Sequence, residues 1–444
     1  MLNYIWLALI VLSVAIAGWT DRLKDVTAGA FDGAKTGVTI ALGLIGVMAL
    51  WLGLMRLAEK AGLVQRIARG LRPIMRRLFP DVPPEHPAMG SMLMNMAANM
   101  LGLGNAATPL GLRAMRDLES LNRRPGIATN AMCTFLAINT SSVQLIPTTA
   151  IALLVAAGST RPTAIVGTAL LATLCATTVA ITTVKLLEQL PFFRLPTPPA
   201  STEESGSETS AVTDTDQVPN TVAPKASRPW LNLLPLALAL FFAVIFARMI
   251  FPTWFGYPID PTVAGQSGFV RCVNALSILA IPFLLSFFPL YAATRGIKVY
   301  EEFVEGAKEG FGVILKIIPF LVTMLVAIGM FKGAGGIEIL TQALTPILTP
   351  LHFPPDLLPL ALMRPLSGGA TLAILTDIIH RLGPDSLSTF MAATIYGSTE
   401  TTFYVAAVYF GSVGIKATRH AIPAGLLGDL AGVVASVVIC RAVL

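Results

Sequence analysis

Long apolar runs constrain this chain more than any other feature. They cover approximately 2–18, 36–56, 127–157, 163–189, 230–250, 270–292, 311–331, 388–412 and 421–443. A helix needs about 20 apolar residues to cross a hydrocarbon layer of about 30 Å, so these runs predict about nine transmembrane helices. Two further stretches, 88–117 and 357–383, are apolar but interrupted by Gly, Pro, Asn and Ser. Irregular backbone at membrane depth is tolerated only inside protein or beside a wet cavity, and both stretches are read as re-entrant helical hairpins. Composition agrees: 13% of residues are charged and 54% hydrophobic, with mean hydropathy +0.72, whereas a soluble domain carries about 25% charged residues. The expected fold class is an all-α integral membrane protein. The lipid bilayer is its expected partner, and a bacterial inner (cytoplasmic) membrane its expected location.

The net charge of +6 does not point to nucleic acid. Basic residues sit in short loops between apolar runs, as the positive-inside rule expects. Cys133, Cys175, Cys272 and Cys440 lie within or beside apolar runs without a close pair. They read as small core residues, not as disulfides or metal ligands. Residues Met1 to Gly18 contain no Lys or Arg, which favours a retained first helix over a cleaved signal peptide.

Residues 191–229 are rich in Ser, Thr, Glu, Asp and Pro. Such composition cannot bury a core, so a disordered linker is expected between membrane domains at 1–190 and 230–444. The two domains are related. Gly33, Ala34, Lys35 and Gly37 recur as Gly306, Ala307, Lys308 and Gly310, at an offset of 273. Further on the offset is 258, pairing Arg161 with Arg419 and Asn139 with Gly397. Common order and common punctuation indicate a duplication. The run 36–56 is followed by Arg56, Lys60, Arg66, Arg69, Arg72, Arg76 and Arg77, whereas the equivalent run 311–331 is followed by Lys332 alone. The charge bias is thus reversed between halves, as in inverted-topology repeats. The basic cluster places the N-terminus and the linker on the cytoplasmic side.

Four places could carry chemistry. The first hairpin holds Asn95 and Asn99 on one helical face, then the tip Gly102-Leu103-Gly104-Asn105-Ala106-Ala107-Thr108. This tip matches G-x-G-x-x-A, but no strand precedes it, so a dinucleotide site is rejected. A half-helix starting near Pro109 would aim free N–H groups at the membrane centre. The second place is Asn139, Thr140, Ser141, Ser142 and Gln144, in the middle of an apolar run. These residues should unwind the helix and offer hydrogen bonds to a polar solute, or to neighbouring helices. The third is its counterpart, Ser398, Thr399, Glu400, Thr401 and Thr402, followed by Tyr404. An acid at this depth costs about 3 kcal/mol to insert and needs a partner or a use. The fourth, the second hairpin tip, offers Arg364 as that partner, with Ser367, Thr371 and Asp377 nearby. Asp429, in the last run, could join the same network.

No H-E-x-x-H, G-x-S-x-G or phosphate-loop motif occurs, so neither enzymatic activity nor a metal or cofactor is expected. The motifs carry a resemblance instead. Residues 1 to about 190, with Phe79-Pro80-Asp81-Val82-Pro83-Pro84, the Gly102 tip and Asn139-Thr140-Ser141-Ser142, resemble the spore maturation protein A family. Residues from about 270, with Leu360-Ala361-Leu362-Met363-Arg364-Pro365 and Gly397-Ser398-Thr399-Glu400-Thr401-Thr402-Phe403-Tyr404, resemble the spore maturation protein B family. Both belong to the nucleoside recognition, or Gate, group. That group includes the membrane part of ferrous iron transporters and is similar in architecture to concentrative nucleoside transporters. The resemblance implies a transporter-like core of two inverted repeats. The expected function is a secondary transporter or flippase-like carrier of a small polar solute, nucleoside-like or an envelope precursor. The alternative is a non-transporting scaffold for envelope or cell-wall maturation. A homo-oligomer is compatible with either.

Overall fold

The computed structural model describes residues 2–102, 107–193, 233–256, 266–336, 339 and 353–444. Asn105 and nearly all of the expected linker lie outside the described residues. The fold is all-helical, as the apolar runs predict, with sixteen α-helices and no strand among the described residues. In chain order they are α1 (Leu2–Trp19), α2 (Leu23–Lys60), α3 (Leu63–Leu78), α4 (Pro87–Met100), α5 (Ala107–Glu119), α6 (Asn130–Ser141), α7 (Thr148–Ala156) and α8 (Ile165–Leu187). The second half holds α9 (Leu233–Ile250), α10 (Gly268–Thr294), α11 (Val299–Gly333), α12 (Leu358–Met363), α13 (Gly368–Leu382), α14 (Leu387–Ser398), α15 (Thr402–Gly411) and α16 (Ala421–Val443). Five of them, α2, α8, α9, α10 and α16, are long and apolar enough to cross a membrane. Helix α9 has one buried residue, Pro235, and its apolar surface suits lipid.

Helix starts follow from local chemistry. Thr129, Ser267, Ser367 and Ser386 each accept, through the side-chain oxygen, the N–H three residues on, satisfying a donor the helix leaves free. The apolar runs 127–157 and 388–412 are not continuous helices. Each is two helices, α6–α7 and α14–α15, separated at 142–147 and 399–401. Asn, Ser and Thr compete for backbone hydrogen bonds, and Pro147 supplies no N–H to the turn before it. Ser142 ends α6 with φ at 36°, a left-handed conformation that a side chain makes unfavourable. The stretch 88–117 is α4 and α5. The stretch 357–383 is α12 and α13, and α12 has only 6 residues.

The repeat read from the sequence is a two-fold relation in space. Helices α2 and α11 run antiparallel along most of their length. Gly33 lies against Leu325, and Gly306 against Leu52. The offset of 273 converts one contact into the other. Likewise Gly37 meets Val322 and Gly310 meets Ala49. The second offset behaves in the same way. Asp385 is held by Ser159 and Thr160, while Gly126 and Ala128 pair with Lys416 and Ala417. The halves therefore interlock instead of standing side by side.

Candidate functional site

The two broken helices meet at their breaks. The Glu400 N–H donates to the Thr140 carbonyl at 2.6 Å. From this crossing a cavity of about 1290 Å³ opens. Its walls include Trp51, Arg56 and Glu59 of α2, Glu309 of α11, the α13 start at Ser367-Gly368-Gly369, and Tyr396, Glu400, Thr401, Phe403 and Tyr404 of the second break. The first turn of α13, with its positive dipole end, thus borders the cavity, although its Ala370 N–H is already taken by Ser367 Oγ.

Glu400 and Arg364 occupy different environments. The Glu400 side chain is 41% exposed, while Arg364 is 3% exposed. Their closest N–O distance is 4.0 Å, which is a loose pair. Arg364 is engaged more firmly elsewhere. Its Nη2 donates to the Tyr396 carbonyl at 2.9 Å, and its guanidinium lies over the Tyr396 ring at 4.8 Å. That carbonyl would have bonded the Glu400 N–H in an unbroken helix, so Arg364 caps the C-terminal end of α14. Gln144 Nε2 reaches Glu400 Oε1 at 3.5 Å. The arginine is a structural plug for the break, and the carboxylate is left open to the cavity.

Other expected site residues turn inward. Asn99 donates to Asn139 Oδ1 at 2.9 Å, Asn95 donates to the Ala107 carbonyl at 2.8 Å, and Asn139 donates to the Phe135 carbonyl at 2.9 Å. The Tyr409 hydroxyl closes this network onto Asn95 and Asn139. Asn95 and Asn139 are buried. These amides join α4, α6 and α15 and do not face the cavity. Thr140 and Ser141 donate back to their own helix, to Ala137 and Ile138. The single Thr173 Oγ1 proton on α8 is shared between the freed Ser141 and Ser142 carbonyls, at 2.9 and 2.7 Å. Thr108 lies in the first turn of α5. Thr371 donates to the Ser367 carbonyl at 2.7 Å.

Asp377 is not a partner for Arg364. It lies far along α13 and pairs with Lys332 at 3.9 Å and Arg381 at 3.6 Å. One turn separates it from Arg381 on the same helix face, so local geometry wins. Asp429 does join the second break: Thr402 Oγ1 donates to its Oδ2 at 2.7 Å. Ser398 meets Ser436, and Thr399 is buried. Sequence reasoning missed Tyr396, Tyr409, Thr173, Trp51 and the Arg56–Glu309 pair at 2.8 Å. Tyr409, Thr173 and Arg56 act through residues more than 30 positions away, Tyr396 acts through its own carbonyl and Trp51 lines the cavity, and no local pattern announces that.

Comparison with known proteins agrees with this architecture. A family model described as nucleoside recognition (Gate) matches residues 41–158 and 314–416. Spore maturation protein A of Bacillus subtilis (strain 168) is 50% identical over 174 residues, covering 39% of this chain and 89% of that protein. Spore maturation protein B of the same organism is 46% identical over 170 residues, covering 38% of this chain and 96% of that protein. The chain belongs to the nucleoside recognition family. Within that family it has the form of a fusion, since the two relatives cover different halves. The two family segments start at 41 and 314 and end at 158 and 416, positions related by the same 273 and 258 offsets. The two matched segments are therefore equivalent parts of the duplicated unit, and each contains one break.

Proposed function

We propose that this chain is a secondary membrane transporter or flippase-like carrier of a small polar solute, not an enzyme. In this reading about nine crossings and two re-entrant hairpins form inverted repeats in a bacterial inner membrane. Residues 1–190 and 230–444 are the two membrane domains, and the N-terminus and residues 191–229 are cytoplasmic. The observation that carries the reading is the exposed Glu400 carboxylate, placed at a helix break and open to a cavity of about 1290 Å³. An acid at such depth is expected to serve a pathway, and broken helices at the repeat interface are where carriers hold their solutes. A scaffold role would leave this space without a use.

The walls favour a nucleoside-like solute. Trp51, Tyr396, Phe403 and Tyr404 offer flat faces for stacking. Trp51 Nε1 is buried without a partner, so a base or a hydroxyl reaches this donor only when the side chains around it move aside. Glu400 can accept from sugar hydroxyls. The test is thermal melting of detergent-purified protein with uridine, adenosine or a lipid-linked envelope precursor. Stabilisation by one class, lost in Glu400→Gln and weakened in Trp51→Phe, supports the reading. It fails if no class stabilises the wild type, or if Glu400→Gln removes folding itself.

A further inference from the structure

The two breaks solve one chemical problem in different ways. A helix that stops leaves its last carbonyls without donors. At the first break Thr173 on α8 supplies a hydroxyl to the Ser141 and Ser142 carbonyls. At the second break the equivalent helix is α16, and there it presents an acid. Asp429 is 3% exposed. Its Oδ2 accepts from Thr402 Oγ1, but its Oδ1 has no partner. On one side of it Gly425 lets Thr402 and Thr140 approach, and on the other Gly432 lets Thr399 and Ser398 approach. The carboxylate thus sits between the two ends of the break.

The surrounding polar groups are hydroxyls and carbonyls, all oxygen. Thr399 Oγ1 is buried and also unpartnered. The Ile395 carbonyl takes the Ser398 hydroxyl and the Tyr396 carbonyl takes Arg364. Among the described residues no donor reaches the Gly397 and Ser398 carbonyls. Arg364 is the cation at this break; its Nη atoms go to Tyr396, Thr401 and, loosely, Glu400, while its Nε has no partner. Other charges are remote or absent. Helices α6, α14 and α15 carry no charged side chain, α8 has Lys185 near its C-terminus, and α10 has Arg271 in its first turn. A buried carboxylate with an unpartnered oxygen is unfavourable without a positive occupant.

We propose that Asp429, with Thr399 and the α14 carbonyl end, forms a site for a small monovalent cation. The occupant is Na⁺ held among these oxygens or a proton carried on the Asp429 carboxyl. Hard oxygen donors of this kind suit an alkali cation, and carbonyl ends of broken helices hold such ions in carriers. The site stands apart from the cavity, whose walls include Glu400 but not Asp429, so it does not depend on the solute reading.

The test measures melting of full-length purified protein in NaCl against choline chloride at equal ionic strength, over a range of pH, for wild type, Asp429→Asn and Thr399→Val. An ion bound at ten times its Kd raises Tm by roughly 1–2 °C in a chain of 444 residues. A Na⁺ response in the wild type that is lost in Asp429→Asn and reduced in Thr399→Val assigns sodium. No Na⁺ response, with a pH-dependent melting step that Asp429→Asn lacks, assigns a proton. The Asn amide supplies the missing donor, so this variant should fold without any cation. Wild type and both variants responding identically to Na⁺ and to pH would overturn the proposal. If Asp429→Asn does not fold, Thr399→Val decides: an undiminished wild-type Na⁺ response and pH profile in that variant also overturns it. Uptake is not read here, so a failed nucleoside screen leaves this result intact.

Discussion

At the scale of single residues, burial separates Arg364 from Glu400. A partly exposed ion pair is worth about 0–1 kcal/mol, and theirs is long and open on one side. Arg364→Ala should nevertheless cost about 3 kcal/mol, because it strips the cap from the Tyr396 carbonyl and leaves a buried acceptor alone. Glu400→Ala should cost little stability. A double-mutant cycle read by thermal melting should give a coupling below about 1 kcal/mol. Coupling of several kcal/mol would mean the pair is structural and the open carboxylate is not free for a solute. Another residue makes its contribution outside the membrane. Three donors, from the Ser159 hydroxyl and the Thr160 N–H and hydroxyl, hold the Asp385 carboxyl down to about 2. Its folded value lies below its unfolded one, so its stabilisation is present above pH 4 and disappears as pH falls toward 2. The Tm difference between wild type and Asp385→Asn should be full at neutral pH and vanish at low pH. A difference that persists unchanged at the lowest pH would contradict this.

At the scale of elements, the α2–α11 pair rests on the absence of side chains. A Cβ at Gly33 or Gly306 would meet backbone carbonyls of the partner helix, while one at Gly46 or Gly312 would meet nothing within 4 Å. Gly33→Leu and Gly306→Leu should each destabilise by about 2–3 kcal/mol through overpacking, and by similar amounts because the sites are equivalent. Gly46→Leu and Gly312→Leu should be neutral or slightly stabilising, since Leu favours helix over Gly by about 0.8 kcal/mol. Melting of the four variants checks this; a large loss at Gly46 would refute the packing argument. The elements themselves were largely legible. Apolar length marks the helices, and clustered Asn, Ser and Thr mark the breaks, because those residues have a local backbone effect. What the amides bind was not legible. Asn139 meets Asn99 and Tyr409, partners brought by folding from distant helices, so an inward packing network and an outward binding site read alike in one dimension. Asp377 reads in the sequence as part of the hairpin tip, but it pairs with Lys332 and, one turn along its own helix, with Arg381, because contacts within a helix are set by spacing and not by the nearest polar cluster.

At the scale of the whole molecule, interlocking is the main fact. Each half covers the glycines of the other, and the crossing at Thr140 and Glu400 needs both. The relatives that match each half are separate proteins. Residues 1–193 and 233–444, co-expressed as two chains, should therefore co-purify as a complex that melts close to the intact chain, and each alone should aggregate. Size-exclusion chromatography and melting curves check both parts. A second half that is monodisperse and stable alone would contradict the interlocked architecture. The duplication was legible in the sequence through the offsets 273 and 258 and the fusion through the family resemblance, whereas the cavity walls on α2 and α11 were not legible, since they alternate between the halves.

The antiparallel α2–α11 pair has a mechanical consequence. At 38 and 35 residues these helices are roughly 50 Å long, well beyond the thickness of a bilayer. Two rods in close backbone contact resist bending far more than one. Such a beam would rock as a lever, and a tilt of about 5° would displace its ends by roughly 4 Å relative to each other. Arg56, Glu59 and Glu309 stand on this beam and also line the cavity. A small rotation at one membrane face would therefore carry a charged wall of the chamber toward or away from Glu400.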